Sequence, residues 1–213
     1  MRCRNAHAPV GLAGWRFEWD AHRVMQLGSS IGRLTHGHPS GHLAAGAFAV
    51  IVFELLNNHS LIEATETAIG LLKEHKGHQE TIAALANAEN LAISTHDRTA
   101  VPKSLGEGWV AEEALAIGLY CALVAEQLEE GVVLAANIDG DSDSTASIAG
   151  NLLGAIHGTM GIPKRWLVPL ELKRVISTLA TDLYDCVDWN LGSPANDAAS
   201  RAIGRLYERY PPN

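Results

Sequence analysis

Apolar side chains recur along this chain at steps of three and four, the period of a helix with one buried face. In residues 20–35, Val24, Leu27, Ile31 and Leu34 follow that step, and Asp20 stands where a helix cap is expected. His36-Gly37-His38-Pro39 breaks the pattern, because glycine and proline punctuate and the residue before proline avoids helix. Residues 40–57 are apolar nearly all round and rich in alanine, which predicts a helix buried at the centre of the fold. The uninterrupted apolar run inside it, Leu43 to Phe53, has 11 residues and ends at Glu54, short of the roughly 20 that a membrane span needs. Ser60 and Glu63 have the spacing of a capping box and precede an amphipathic helix over 60–75, carried by Ile62, Ala68, Ile69 and Leu72. Further helices are predicted over 78–93, 109–126, 145–158 and 169–187. The last of these carries Leu172, Val175, Ile176, Leu179 and Leu183 on one face. A loop over 190–197 and a final helix to about Tyr207 complete the chain. No alternation of strands with helices and no hairpin signal occurs, so the expectation is one all-α domain over 1–213 with orthogonally packed helices.

Composition narrows the function classes. The chain has 213 residues, 47% hydrophobic and 19% charged, which excludes a disordered polymer. Lys plus Arg total 16 against 24 Asp plus Glu, a net charge of −8. That balance argues against a broad nucleic-acid or anionic-membrane footprint, which needs clustered Lys and Arg. Cys3, Cys121 and Cys186 are far apart and odd in number, so they suggest neither a zinc pair nor a disulfide framework. A reducing, cytoplasmic setting is the expectation. The first twenty residues carry charges and two tryptophans, unlike a signal peptide.

The most informative stretch is Ile138-Asp139-Gly140-Asp141-Ser142-Asp143-Ser144-Thr145, ahead of a helix. Three carboxylates at alternating positions repel one another unless a cation or the helix start offsets them. Hard cations such as Mg²⁺ choose carboxylate and hydroxyl oxygens, so Asp141, Asp143 and the Ser144 hydroxyl are candidate ligands. An ordinary N-cap explains one of these residues and leaves two carboxylates unused. A calcium-binding EF-hand loop fails, because Ser144 stands where its glycine is wanted and Gly150 where its glutamate is wanted. Gly150, Gly154 and Gly158 sit four apart beyond the turn, with Ala146 in the same row, and predict close approach of another helix.

Four segments together resemble the ADP-ribosylglycohydrolases, the family of the dinitrogenase reductase-activating glycohydrolase and the crystallin J1-like proteins. GDSDSTASIAGNLLGAIHG (140–158) resembles the family's C-terminal metal motif and is the specific one. LTHGHP (34–39) resembles its histidine segment, GEGWVAEEALAIGLYCAL (106–123) its glycine-rich loop and following helix, and APVGL (8–12) a short segment that precedes the histidines. The resemblance implies an all-α fold holding two Mg²⁺ ions, with Mn²⁺ as an alternative, that releases ADP-ribose from a modified protein or a small ADP-ribose derivative. By motif match Asp141, Asp143 and Ser144 are metal ligands, and the family more often has Thr at the Ser144 position. His36 is implied near the ribose or diphosphate. Gly106, Glu107, Gly108 and Trp109, with Ser142, are implied against the ADP-ribose, where glycines give access to backbone.

The residues alone also allow plainer roles. His36 could cap a loop, His38 before Pro39 could be structural, Trp109 could be a core residue, and Glu112 and Glu113 could complement the start of a helix. One departure from the family is large. Members begin with a glycine- and acid-containing helix and a T-D-D turn, which supply further metal ligands and the proposed general acid or base. No T-D-D run occurs in this chain, which resembles the C-terminal part of a longer member. Two expectations follow: a catalytically incomplete ADP-ribose-binding protein is the alternative to an active hydrolase, and apolar surface exposed on the central helices would favour homo-oligomers.

Overall fold

A computed structural model describes residues 7–94, 100–186 and 208. Among them are ten α-helices and two short 3₁₀ turns, and no strand. The helices are α1 (Ala8–Arg16), α2 (Ala21–Arg33), α3 (Pro39–Leu56), α4 (Leu61–Leu72), α5 (Gln79–Ser94), α6 (Ala111–Val124), α7 (Leu128–Ala136), α8 (Ser142–His157), α9 (Lys164–Leu167) and α10 (Lys173–Asp185). The chain forms two compact units, Met1–Leu170 and Glu171–Asn213. The loop over 190–197 and the helix to Tyr207 lie outside the described residues.

Local chemistry accounts for several boundaries. Asp20 caps α2 by accepting a hydrogen bond from the Arg23 amide at 2.8 Å. Ser60 and Glu63 form the complete capping box at the start of α4. Pro39 opens α3, where a missing amide proton costs nothing.

The first unit is organised around α3, which is buried at every position from Ser40 to Leu55. It packs against α1, α2, α4, α6 and α8. By length and composition α3 could cross a membrane, but most of it is enclosed by the other helices, as in a core helix. Its acid, Glu54, is buried and bonded to the His59 imidazole. The second apolar helix, α6, is buried from Ala114 to Ala122 and lies against α3, α5, α7 and α8. Apolar exposure on the central helices is therefore not found. The exposed apolar side chains lie elsewhere, such as Leu34, Ile93 and Met160.

The motif segment Ala8–Leu12 forms part of α1, and Gly11 lets α1 meet α3 so closely that a Cβ there would stand 2.5 Å from the Ala49 carbonyl. The glycine row of α8 does not seat a helix along its length: Gly154 and Gly158 face open space. The close approaches use glycines of the neighbouring helices. A Cβ at Gly118 would meet Ile148 at 2.4 Å, and one at Gly131 would meet Leu153 at 2.4 Å.

In the second unit, Leu172 takes a left-handed conformation (φ 57°) immediately before α10. Val175, Ile176 and Leu179 share the apolar face that periodicity predicts, and each is about half exposed.

Candidate active site

The acidic turn begins at the end of α7 and runs into α8. Thr145 fastens it, its hydroxyl donating to the Ala135 carbonyl at 2.8 Å. Asp141 occupies the N-cap position of α8 but its side chain makes no capping hydrogen bond. The N-cap account therefore does not explain this carboxylate. Asp143 follows in the first turn and is exposed, and Ser144 is buried beside it. Two carboxylates and a hydroxyl within four residues are hard oxygen donors, the chemistry that suits Mg²⁺. Among the described residues no three His, Cys, Asp or Glu side chains gather as a metal centre. Asp141 and Asp143 offer two carboxylates and Ser144 a hydroxyl, so water or substrate would have to complete the coordination of any ion that these three hold.

The glycine-rich loop is latched onto this turn. The Asp141 amide donates to the Glu107 carbonyl at 2.8 Å. Gly106 and Gly108 have φ of 88° and 77°, a region that favours glycine. The loop's conformation is held from below by Glu113, whose carboxylate accepts from the Gly108 amide at 3.1 Å and the Glu107 amide at 3.3 Å. A side chain at Gly106 would collide with that carboxylate, and one at Gly108 would press on the Thr145 methyl at 2.9 Å. Trp109 is not a core residue. It is mostly exposed, and its indole donates to the Glu107 carboxylate at 3.0 Å.

The histidine segment borders the far end of the same loop. His36 is half-buried, with Nδ1 2.8 Å from the Thr35 hydroxyl. It lines two cavities. The smaller, about 20 Å³, lies among His7, His36, Phe48, Ala111, Leu115 and Ile148. That volume suffices for about one water. The larger, about 500 Å³, is bounded by the segment from His36 to Gly41, by Glu80, and by Val110 to Glu112. The acidic turn borders the loop and lines neither cavity. His38 lies at the rim of the larger one, Nδ1 being 2.9 Å from the Ser40 hydroxyl.

One polar residue of this region, His7, is not evident from sequence, and Glu112, legible as a first-turn acid of α6, is more enclosed than that role requires. His7, just before the APVGL segment, is buried with no partner for Nδ1. Glu112 has a buried carboxylate oxygen, Oε2, also without a partner. Burial produces both observations, and no local pattern announces it.

Burial, and then the neighbouring His36, hold the His7 pKa below the ordinary imidazole value of 6.5. Burial does the same to His42, with Arg33 adding to it. A lowered folded-state pKa means that the unfolded chain takes up the proton first as pH falls. The melting temperature should therefore decline below about pH 6.5, and His7→Gln should flatten that decline. Thermal melts between pH 7.5 and 5 check this, and an equal slope in the variant contradicts it.

The sequence profile of the ADP-ribosylglycohydrolase family matches residues 1–191. An uncharacterized protein of Archaeoglobus fulgidus is 27% identical over 180 residues, 84% of this chain and 55% of that protein. An ADP-ribosylarginine hydrolase of Pseudomonas putida is 33% identical over 78 residues, 37% of this chain and 21% of the relative. The ADP-ribosyl-[dinitrogen reductase] glycohydrolase of Rhodospirillum rubrum is 24% identical over 142 residues, 66% of this chain and 41% of the enzyme. The chain spans about half the length, or less, of these curated relatives. With the profile covering nearly the whole sequence, the chain belongs to the ADP-ribosylglycohydrolase family.

Proposed function

We propose that this chain binds a divalent ion and ADP-ribose at the start of α8 and hydrolyses the bond between ADP-ribose and a modified acceptor. Family membership supports the reaction class. The observation that carries the site is the hydrogen bond from the Asp141 amide to the Glu107 carbonyl, which sets the acidic turn against the glycine-rich loop. Asp141, Asp143 and Ser144 are the residues that would hold Mg²⁺, with Mn²⁺ as a substitute. When bound, the ion supplies charge stabilisation at the sugar hydroxyls next to the anomeric carbon. The Gly106–Trp109 loop, whose Glu107 and Gly108 amides are held by Glu113, presents an exposed indole beside that position.

In the proposed reaction the oxygen of water forms a bond to the anomeric carbon. The electron pair of the broken glycosidic bond leaves with the acceptor atom, which takes up a proton. An arginine side chain is the first acceptor to test, because a relative matching at 33% identity is an ADP-ribosylarginine hydrolase. Other ADP-ribosylated proteins and small ADP-ribose derivatives belong to the same chemical class. A reducing, cytoplasmic compartment is part of the proposal. It accords with the buried Cys121, whose thiol pKa is pushed up to about 12 by burial.

A second reading is a module that binds ADP-ribose without cleaving it. The small ligand set favours it, since Asp141, Asp143 and Ser144 contribute two carboxylates and one hydroxyl. Incubation with an ADP-ribosylated arginine peptide separates the two readings. Free ADP-ribose should appear with Mg²⁺ and not with a chelator. Mg²⁺-dependent binding without release supports the module instead, and neither binding nor release contradicts both.

A further inference from the structure

Family resemblance implies Glu107 against the ADP-ribose, yet each of its polar groups meets the protein itself. Its amide donates to the Glu113 carboxylate at 3.3 Å. Its carbonyl accepts from the Asp141 amide at 2.8 Å. Its carboxylate accepts from the Trp109 indole at 3.0 Å. Glu107 therefore joins the start of α6, the acidic turn and the exposed aromatic side chain of the loop.

Trp109 is 59% exposed, so more than half of its surface has no packing to keep the ring in one rotamer. A hydrogen bond to a carboxylate is of the stronger, charge-assisted kind, and it fixes the N–H edge of the indole. The carboxylate acts from a fixed base, because both backbone groups of Glu107 are bonded. Direct contact with ADP-ribose suits it less, since a diphosphate is anionic and repels a carboxylate. We infer, resting on the function proposed above, that Glu107 is a positioning residue: it aids ADP-ribose binding by holding the Trp109 indole at a set place beside the acidic turn. Two requirements follow. The acceptor oxygen matters and the negative charge does not, and the effect of Glu107 exists only while residue 109 carries an indole N–H.

Both are tested on the full chain. The indole is read first, without ligand, by ¹⁵N relaxation. Among the five tryptophan indole resonances, that of Trp109 is the one lost in Trp109→Phe. Its order parameter should be about 0.8 in the parent and in Glu107→Gln, whose amide oxygen still accepts, and fall to roughly 0.6 or below in Glu107→Ala. ADP-ribose is then titrated calorimetrically in the presence of Mg²⁺. Glu107→Ala should bind roughly five- to tenfold more weakly than the parent, and Glu107→Gln within about twofold of it. In the Trp109→Phe background Glu107→Ala should cost nothing further, the signature of a residue that acts through another. An equal loss in both backgrounds overturns the positioning role while the hydrolase reading stands. An indole that stays rigid in Glu107→Ala does the same. A parent chain that binds no ADP-ribose contradicts the proposed function, and the positioning role falls with it.

Discussion

Gly140→Ala should melt roughly 6–12 °C below the parent chain. A Cβ at this position would stand 1.8 Å from the Glu107 carbonyl oxygen and 2.6 Å from its carbon. Both atoms are backbone, so no side-chain rotation relieves the clash. The same carbonyl accepts the hydrogen bond from the Asp141 amide that joins the loop to the acidic turn. The methyl must therefore separate two segments held by a backbone hydrogen bond and by the packing of Gly108 on Thr145. Overpacking of this kind costs about 3 kcal/mol. Gly154→Ala provides the contrast, because it lies inside α8 with no heavy atom within 4 Å of the added carbon. It should stabilise by about 0.5–1 kcal/mol through helix propensity. Differential scanning calorimetry of the two variants decides the matter. A Gly140→Ala melt at or above the parent's means that the loop and the turn are not latched as described.

The elements that were legible in the sequence have local causes. Asp20, Ser60 and Glu63 carry side chains that bond amides three residues away, so their spacing alone marks a helix start. The helix α3 was legible from the apolar run between His38-Pro39 and Asn57. The helices α1 and α7 were not. Each has nine residues and contains at least one glycine, too short and too weak in propensity to stand alone. They are helical because Gly11 seats on α3 and Gly131 on Leu153, contacts that a single segment does not reveal. The glycines of α8 mislead for the same reason: whether a glycine meets a neighbour depends on the partner helix.

The candidate site divides along the same line. The acidic run and the glycines of the loop stand out as residue types. Their joining through Glu107 and Asp141 is a tertiary fact, as is the support of the loop by Glu113. Glu113 reads in sequence as a first-turn acid of α6, while its carboxylate in fact holds two amides five and six residues earlier. His7 stands out only through burial without a partner for Nδ1.

The most direct test of the divalent-ion and sugar site is Asp143→Ala in an ADP-ribose titration with and without Mg²⁺. Asp143 is exposed in the first turn of α8, so its loss should cost the fold only about 1 kcal/mol or less. Its proposed contribution to the ion is much larger, because a carboxylate supplies both charge and an oxygen ligand. The parent chain should bind ADP-ribose with Mg²⁺ and lose that affinity in a chelator. Asp143→Ala should weaken Mg²⁺-dependent binding by roughly 100-fold or more while its melting temperature stays near the parent's. Binding of equal strength in the variant, or parent binding indifferent to Mg²⁺, contradicts the account.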